Sequence, residues 1–301
     1  MEVIMQLIYI NDHLGYIKSS VNIGFLLNKK KEAILIDAGI DDNNAKKSFK
    51  ILDDEKIIPK KIVITHAHAD HFGGASWFVK HLNTEVLSTL PAKSILEYPL
   101  WEPIYLFCGA NPPKILHQKF FLGKKINVDR IVSQGRVNFD NIDFEIVELP
   151  GHSFGQIGIL FENYLFCADS FISYEFLVKH KIPLNSDIKG TLQTLNYLKN
   201  SKFKGIIPSH GDLFENYHDI LNENEKIINQ ILEFILDVCF KQISEIELLN
   251  LIYDKFDISI KDMATSVLMR LSVLAYISYL LDKDLLRVEF VDNQQFFVRV
   301  S

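Results

Sequence analysis

Cysteine is scarce: Cys108, Cys167 and Cys239 are the three in 301 residues, and they lie far apart. That is too few and too scattered for a disulfide framework, so a reducing cytoplasm is the expected setting. Positive charge is not in excess either. The formal net charge of −6 provides no field to gather a polyanion. The start, Met1-Glu2-Val3-Ile4-Met5-Gln6, lacks the basic stretch and small-residue cleavage site of a secretory leader, so none is expected. Long apolar runs are absent too. The longest, residues 264–281, is broken by Thr265, Ser266, Arg270 and Ser272, which suits a buried helix or a self-association surface better than a membrane span. There are no repeats and no low-complexity tracts. Apolar residues make up 48% of the chain against 23% charged, enough for a sizeable core.

The first third reads as strands at residues 3–10, 21–27 and 33–37, with Asn28-Lys29-Lys30-Lys31 as a solvated turn. Residues 41–52 follow as a helix opened by Asp41 and Asp42. A buried strand at 61–65 runs into Thr65-His66-Ala67-His68-Ala69-Asp70-His71-Phe72-Gly73-Gly74, and a helix is expected from 74 to 82. After a strand at 85–88, residues 91–134 form a loose insertion rich in aromatics and prolines. Among them are Trp101, Tyr105, Phe107, Phe120 and Phe121, which suit a substrate wall or simple packing onto the core. Strands at 142–149, 157–161 and 164–168, a helix at 188–198 and a strand at 205–208 come next. Helices at 225–240, 245–256 and 260–281 then precede a hairpin turning through Asp292-Asn293. The shift from sheet-rich to helix-rich sequence sets a boundary near residue 220, giving units 1–220 and 221–301.

Four potential metal ligands fall within six residues: His66, His68, Asp70 and His71. Imidazole and carboxylate together suit zinc or non-haem iron. Three further positions lie where apolar runs meet small or turn-forming residues: His152 in Pro150-Gly151-His152-Ser153, Asp169 in Cys167-Ala168-Asp169-Ser170, and His210 in Pro208-Ser209-His210-Gly211.

In this order the seven residues resemble the signature of the metallo-β-lactamase fold superfamily, His-x-His-x-Asp-His followed by His, Asp and His. The resemblance covers residues 3–211. It implies an α+β fold, a four-layer αββα sandwich with two metals at one sheet edge, followed here by a small, mostly helical C-terminal module. It also implies that His66, His68 and His152 hold one ion, that Asp70, His71 and His210 hold the other, and that Asp169 bridges them. The implied cofactors are two divalent ions, with zinc favoured and iron or manganese accommodated. Asp37 resembles the acid that steadies the first motif's loop, with a plain turn residue as the alternative. Ser209 stands where many relatives have glycine. Cys167 reads as a small buried hydrophobe, while His13, His81, His117, His180 and His218 match no motif and suit surface or packing roles.

The implied chemistry is hydrolysis by metal-activated water, with Asp70 as the proton-handling catalytic residue. Within the glyoxalase II-like branch that the chain resembles, the aromatic insertion at 91–121 suits an apolar acyl group, which favours a small thioester or lactone as substrate; Tyr174 and Lys179 are candidates to face it, with solvent or core roles as the alternative. The C-terminal order of helices and hairpin looks like the winged-helix-like extension of the mitochondrial β-lactamase-like endoribonuclease, which makes RNA or another phosphodiester the rival substrate. A metal-binding sensor without turnover is a third reading. Residues 221–301 hold eight Lys/Arg against thirteen Asp/Glu, a net of −5 that disfavours nucleic acid. The expectation is therefore a small-molecule enzyme without a membrane partner, self-associating as a homodimer through the 264–281 helix. Signal-peptide absence argues against a periplasmic β-lactamase. His68 and the missing Gly-rich flavin loop separate the chain from the flavodiiron branch.

Overall fold

A computed structural model describes residues 5–300. Val3 and Ile4, placed in the first strand by sequence, lie outside the described residues. Among these, seven strands form one sheet in chain order: β1 (Gln6–Asn11), β2 (Leu14–Lys18), β3 (Ile23–Leu27), β4 (Glu32–Ile36), β5 (Ile58–Val63), β6 (Glu85–Ser88) and β7 (Arg130–Ile131). β1 to β4 pair antiparallel and β4 to β7 parallel. A second sheet runs in the order β12-β11-β10-β9-β8, from β8 (Gly135–Phe139), β9 (Ile142–Glu148), β10 (Ile157–Phe161), β11 (Tyr164–Ala168) and β12 (Gly205–Pro208).

Alternation along the strands decides which layer each face meets. In β4, Ala33 and Leu35 face outward while Ile34 and Ile36 face the second sheet. In β11, Leu165 and Cys167 face outward while Phe166 joins the layer between the sheets. Outside the first sheet pack α1 (Asp42–Asp54), the one-turn α2 (Ala69–Phe72), α3 (Ala75–Leu82) and α4 (Leu90–Glu97). Beyond the second sheet lie α6 (Tyr174–His180), α7 (Ile188–Asn200) and α8 (His218–Val238), while α5 (Trp101–Leu106) sits in the insertion. The outcome is the αββα sandwich that the sequence implies, an α+β fold.

Two-residue turns with both φ positive join β8 to β9 at Asp140-Asn141, β10 to β11 at Glu162-Asn163, and the final strands at Asp292-Asn293. The C-terminal part runs α8, β13 (Ile243–Ser244), α9 (Glu245–Lys255), α10 (Met263–Asp282), β14 (Leu286–Val291) and β15 (Gln294–Arg299), with sheet order β13-β15-β14. Its buried residues Ile228, Ile235, Val273, Tyr276 and Phe297 join one apolar cluster with Leu165, Leu195 and Ile206 of the second sheet's outer layer. By length and composition α10 could cross a membrane. Here it packs on α7 and α8, burying Ser272, Val273, Ala275, Tyr276, Ile277 and Leu280.

The structure departs from the sequence reading in several elements. β2, β8 and α6 were not anticipated. α8 begins at His218, earlier than the helix expected from residue 225. The insertion is not loose: it holds α4, α5, a 3-10 turn at Lys114–Leu116 and β7. Its Leu106, Leu116 and Phe121 pack against Met263, Ala264, Val267, Leu268 and Leu271 of α10.

Candidate metal centre

All seven sequence-selected residues meet at one edge of the sandwich. His66 and His68 leave the end of β5, and Asp70 and His71 sit on α2. His152 follows β9, Asp169 follows β11 and His210 follows β12. The short turn between motif and helix depends on its glycines. A Cβ on Gly73 would stand 2.0 Å from the Ile40 carbonyl oxygen, and one on Gly74 would stand 2.3 Å from that of Ala38. At the end of β11, Ala168 takes a left-handed conformation (φ 50°) where the β11–β12 register shifts, and this turns Asp169 toward the cluster.

Three overlapping groups have ligand atoms within 4.8 Å of one another: His66, His68 and His152; His66, His71 and Asp169; and Asp70, His71 and His210. His68 Nδ1 lies 3.1 Å from His66 Nε2 and 2.9 Å from His152 Nε2. Asp169 Oδ2 is 3.5 Å from the Nε2 atoms of both His71 and His152 and 3.4 Å from that of His210. Asp70 reaches His71 Nε2 at 3.8 Å and His210 Nε2 at 3.7 Å.

The outer nitrogens fix the tautomers. His152 Nδ1 donates to the Leu184 carbonyl at 2.8 Å, His210 Nδ1 to the Ser20 carbonyl at 2.7 Å, and His71 Nδ1 to Asp37 Oδ2 at 2.8 Å. These oxygens only accept, so each neutral ring turns its Nε2 lone pair inward, the arrangement that histidine ligands adopt around a cation. His71 Nε2 and Asp169 Oδ1 are buried and find no hydrogen-bond partner among the described residues. Converging lone pairs and carboxylates with orphaned inner atoms fit divalent metal ions. The donor set, nitrogen and oxygen without thiolate, is consistent with that fit.

Charge sorts the site into two halves. Burial, then the neighbouring imidazoles His71 and His68, hold His66 well below the usual histidine range. Burial and His152 do the same to His68, and His152 is lowered by burial. Burial alone would depress His71, but Asp169, Asp70 and Asp37 outweigh it and raise its pKa well above the ordinary value. His210 is raised too, Asp169 overcoming burial. Asp169 is held well below the carboxylate range, because His210 and His71 overcome its burial.

Asp37 is the acid behind the loop. Besides His71, its carboxylate accepts from the Thr65 backbone N–H at 2.8 Å and the Thr65 hydroxyl at 2.9 Å. Cys167 is buried two residues from Asp169 and donates to the Ile207 carbonyl. His81 stacks on Trp77 and His218 bonds the Lys199 carbonyl, both away from the cluster.

The cluster opens on a chamber of about 810 Å³. Phe120 and Phe121 of the insertion line it, as do Met263, Leu268 and Met269 of α10, so the C-terminal part walls the mouth. Of the two readings open for Tyr174 and Lys179, the substrate-facing one does not match the chamber, which neither residue lines. Phe176 and His180, one turn apart on the same helix, do. Phe176 packs against the His210 ring with centroids 5.2 Å apart, and His180 stacks on Phe176. The sequence reading also passed over Glu102. It lines the chamber, is 4% exposed, and its Oε2 has no hydrogen-bond partner among the described residues. Burial, then the Asp70 charge, pushes this carboxyl well above the usual range. The one signal for it was a lone carboxylate inside the apolar stretch 98–107.

The sequence profile of the metallo-beta-lactamase superfamily matches residues 18–210. The chain belongs to that superfamily. A hydroxyacylglutathione hydrolase of Vibrio vulnificus is 27% identical over 250 residues, 77% of this chain and 87% of that protein. One from Pectobacterium atrosepticum is 28% identical over 153 residues, 50% of this chain and 47% of that protein, so the match spans about half of that relative's length. Among solved structures, a beta-lactamase domain protein from Burkholderia ambifaria superposes with a TM-score of 0.76 at 16% identity, covering 98% of this chain and 94% of that one. A metallo-beta-lactamase family protein from Thermus thermophilus gives 0.70 at 17% identity, with 93% and 94% covered. At such identities these two speak to the fold alone.

Proposed function

We propose that this protein hydrolyses small thioesters or related carboxylic esters, with water as the nucleophile. The observation that carries the reading is the convergence of seven histidine and aspartate side chains, five of which (His68, Asp70, His152, Asp169 and His210) line a mostly apolar chamber. Named relatives that cleave a glutathione thioester support the reaction type. The glutathione half of such a substrate is poorly matched here. Glutathione carries carboxylates, whereas no described residue lining the chamber is Lys or Arg, and Asp70, Glu102, Asp169 and Asp262 all line it.

In this reading His66, His68 and His152 would hold one divalent ion and Asp70, His71 and His210 a second, with Asp169 available to both. Zinc suits the donor set best. Such ions supply a Lewis acid and water acidified toward pKa ~7. The chain's own contribution is positional. Asp37, Leu184 and Ser20 hold three imidazoles by their outer nitrogens, so the inner ones need not reorganise. Asp70, its side chain 26% exposed at the chamber floor, takes the proton from the attacking water at Oδ2 and returns it to the leaving thiol or alcohol. Apolar walls from Phe120, Phe121 and Leu268 exclude bulk water.

We further infer that residues 1–220 form the catalytic unit and that 221–301 form a winged-helix-like module closing its mouth. The net charge of −5 over 221–301 argues against RNA. Three free thiols suit an intracellular setting.

A panel of acyl thioesters, lactones, a phosphodiester and single-stranded RNA, run with wild type and Asp70→Asn, tests this. Thioester turnover should fall about 100-fold or more in the variant, with metal content measured alongside. Cleavage of RNA without thioester turnover would replace the reading with the nuclease one. No turnover of any substrate by metal-loaded protein would leave the sensor.

A further inference from the structure

The chamber's wall is unusual in what it combines. Ile172, Phe176, Ile182, Leu184, Leu268 and Met269 give it an apolar body, and the thioether of Met269 adapts to irregular shapes. Into this wall α5 brings one buried carboxyl outside the His/Asp cluster, Glu102. A carboxyl 4% exposed with an orphaned oxygen is costly to keep unless something pairs with it. Packing does not require it, because α5 is already anchored through Leu106 against α10. The chamber's volume of about 810 Å³ exceeds what a short acyl group would fill.

We propose that the chamber takes the apolar acyl chain of an uncharged substrate and that Glu102 hydrogen-bonds a hydroxyl or keto oxygen carried on that chain, making Glu102 a specificity-determining residue. The inference rests on the ester-hydrolase reading above, but its test does not need turnover. Burial, then the Asp70 charge, raises the Glu102 carboxyl well above the usual range and so favours the protonated form, which offers a donor as well as an acceptor. A plain chain would leave the carboxyl unpaired on binding, and a site built this way discriminates against the analogue lacking the partner group.

The probes are thioether analogues of N-acetylcysteamine acyl thioesters, with a methylene between sulfur and carbonyl so that they cannot be hydrolysed. Butanoyl, octanoyl and dodecanoyl forms, and octanoyl forms hydroxylated at the β, γ or terminal carbon, are titrated calorimetrically into wild type, Glu102→Gln, Glu102→Leu and Glu102→Met. Affinity should rise by up to about fourfold per methylene until the chamber is filled. At least one hydroxylated form should bind wild type about tenfold more tightly than plain octanoyl. Glu102→Gln, which keeps a donor and an acceptor, should retain that preference, whereas the Leu and Met variants should lose or reverse it. Circular dichroism identifies any variant that fails to fold, and the Gln variant's preference still tests the contact. Affinity flat with chain length overturns the acyl chamber, and a hydroxyl preference absent in wild type or unchanged in folded Leu or Met variants overturns the role of Glu102. Tight binding with no turnover of the matching thioesters would sink the hydrolase reading alone.

Discussion

Asp37 Oδ2 lies 2.8 Å from His71 Nδ1, and both side chains are buried, so one carboxylate orients an imidazole of the candidate metal centre and the loop that carries it. The other oxygen holds the Thr65 backbone N–H, one residue before His66. In Asp37→Asn one of these contacts must face an NH2 group, setting donor against donor. The expected outcome is a loss of metal affinity of about 10–100-fold, with unfolding easier by about 1–3 kcal/mol. Competition with a chromophoric chelator and urea denaturation measure the two effects. Unchanged affinity would show that Asp37 only shapes a turn.

The two halves of the cluster should load metal with different pH dependence. His66, His68 and His152 have lowered pKa values, so near neutrality they are already free of protons and compete little with a cation. His71 and His210 have raised pKa values and must release protons for an ion to bind. As pH falls below those raised values, affinity at Asp70, His71 and His210 weakens first. The trio of histidines keeps its ion until pH drops below their depressed values. Equilibrium dialysis at fixed free zinc should therefore show two ions per chain at mildly alkaline pH and one at mildly acidic pH. Calorimetry in buffers of different ionisation enthalpy should assign the larger proton release to the second ion. Simultaneous loss of both ions on acidification would contradict this division.

The site was legible because its chemistry is local in sequence. Four candidate ligands sit within residues 66–71, and the other three each follow a strand, where the sheet edge gathers them without side-chain detail. The sandwich was legible for a similar reason: an unbroken apolar run such as Ala33, Ile34, Leu35 and Ile36 marks a strand buried on both faces. The chamber was not. Its wall joins Glu102, Phe120, Phe176, His180 and Met269, and no local pattern links them. α6 was missed because Tyr174 and Lys179 are its conspicuous polar residues, yet helical spacing turns Phe176 and His180 to the chamber. β2 was hidden by Gly15, whose missing Cβ admits the Ile8 carbonyl and the Phe25 ring.

The glycine pair after His71 gives a sharp structural test. In Gly73→Ala the added carbon would meet the Ile40 carbonyl oxygen at 2.0 Å and that of Ala69 at 2.6 Å, both backbone atoms with no rotamer to escape by. The turn must open, at a cost of about 1–3 kcal/mol or more, and α2 must shift with it. A lower Tm together with weakened metal binding is expected, since Asp70 and His71 ride on that turn. Full metal affinity in a folded Gly73→Ala protein would show that the loop has more slack than its contacts allow.

Tyr276, in the middle of α10, supplies a test of the C-terminal packing with the opposite sign. The residue is 0% exposed and its hydroxyl has no hydrogen-bond partner among the described residues, so the ring stabilises while the oxygen is a burden. Tyr276→Phe removes the oxygen and leaves the ring. Stability should rise, or at least not fall, by up to about 1–3 kcal/mol, the cost of an unpaired buried polar group. Tyr276→Ala should instead lose about 3–5 kcal/mol through the cavity left. Urea midpoints at constant m-value compare the three proteins. Were Tyr276→Phe to lose as much as a hydrogen bond is worth, an ordered water would have to sit against the hydroxyl. α10 would then pack on α7 and α8 through a polar bridge rather than by apolar contact alone.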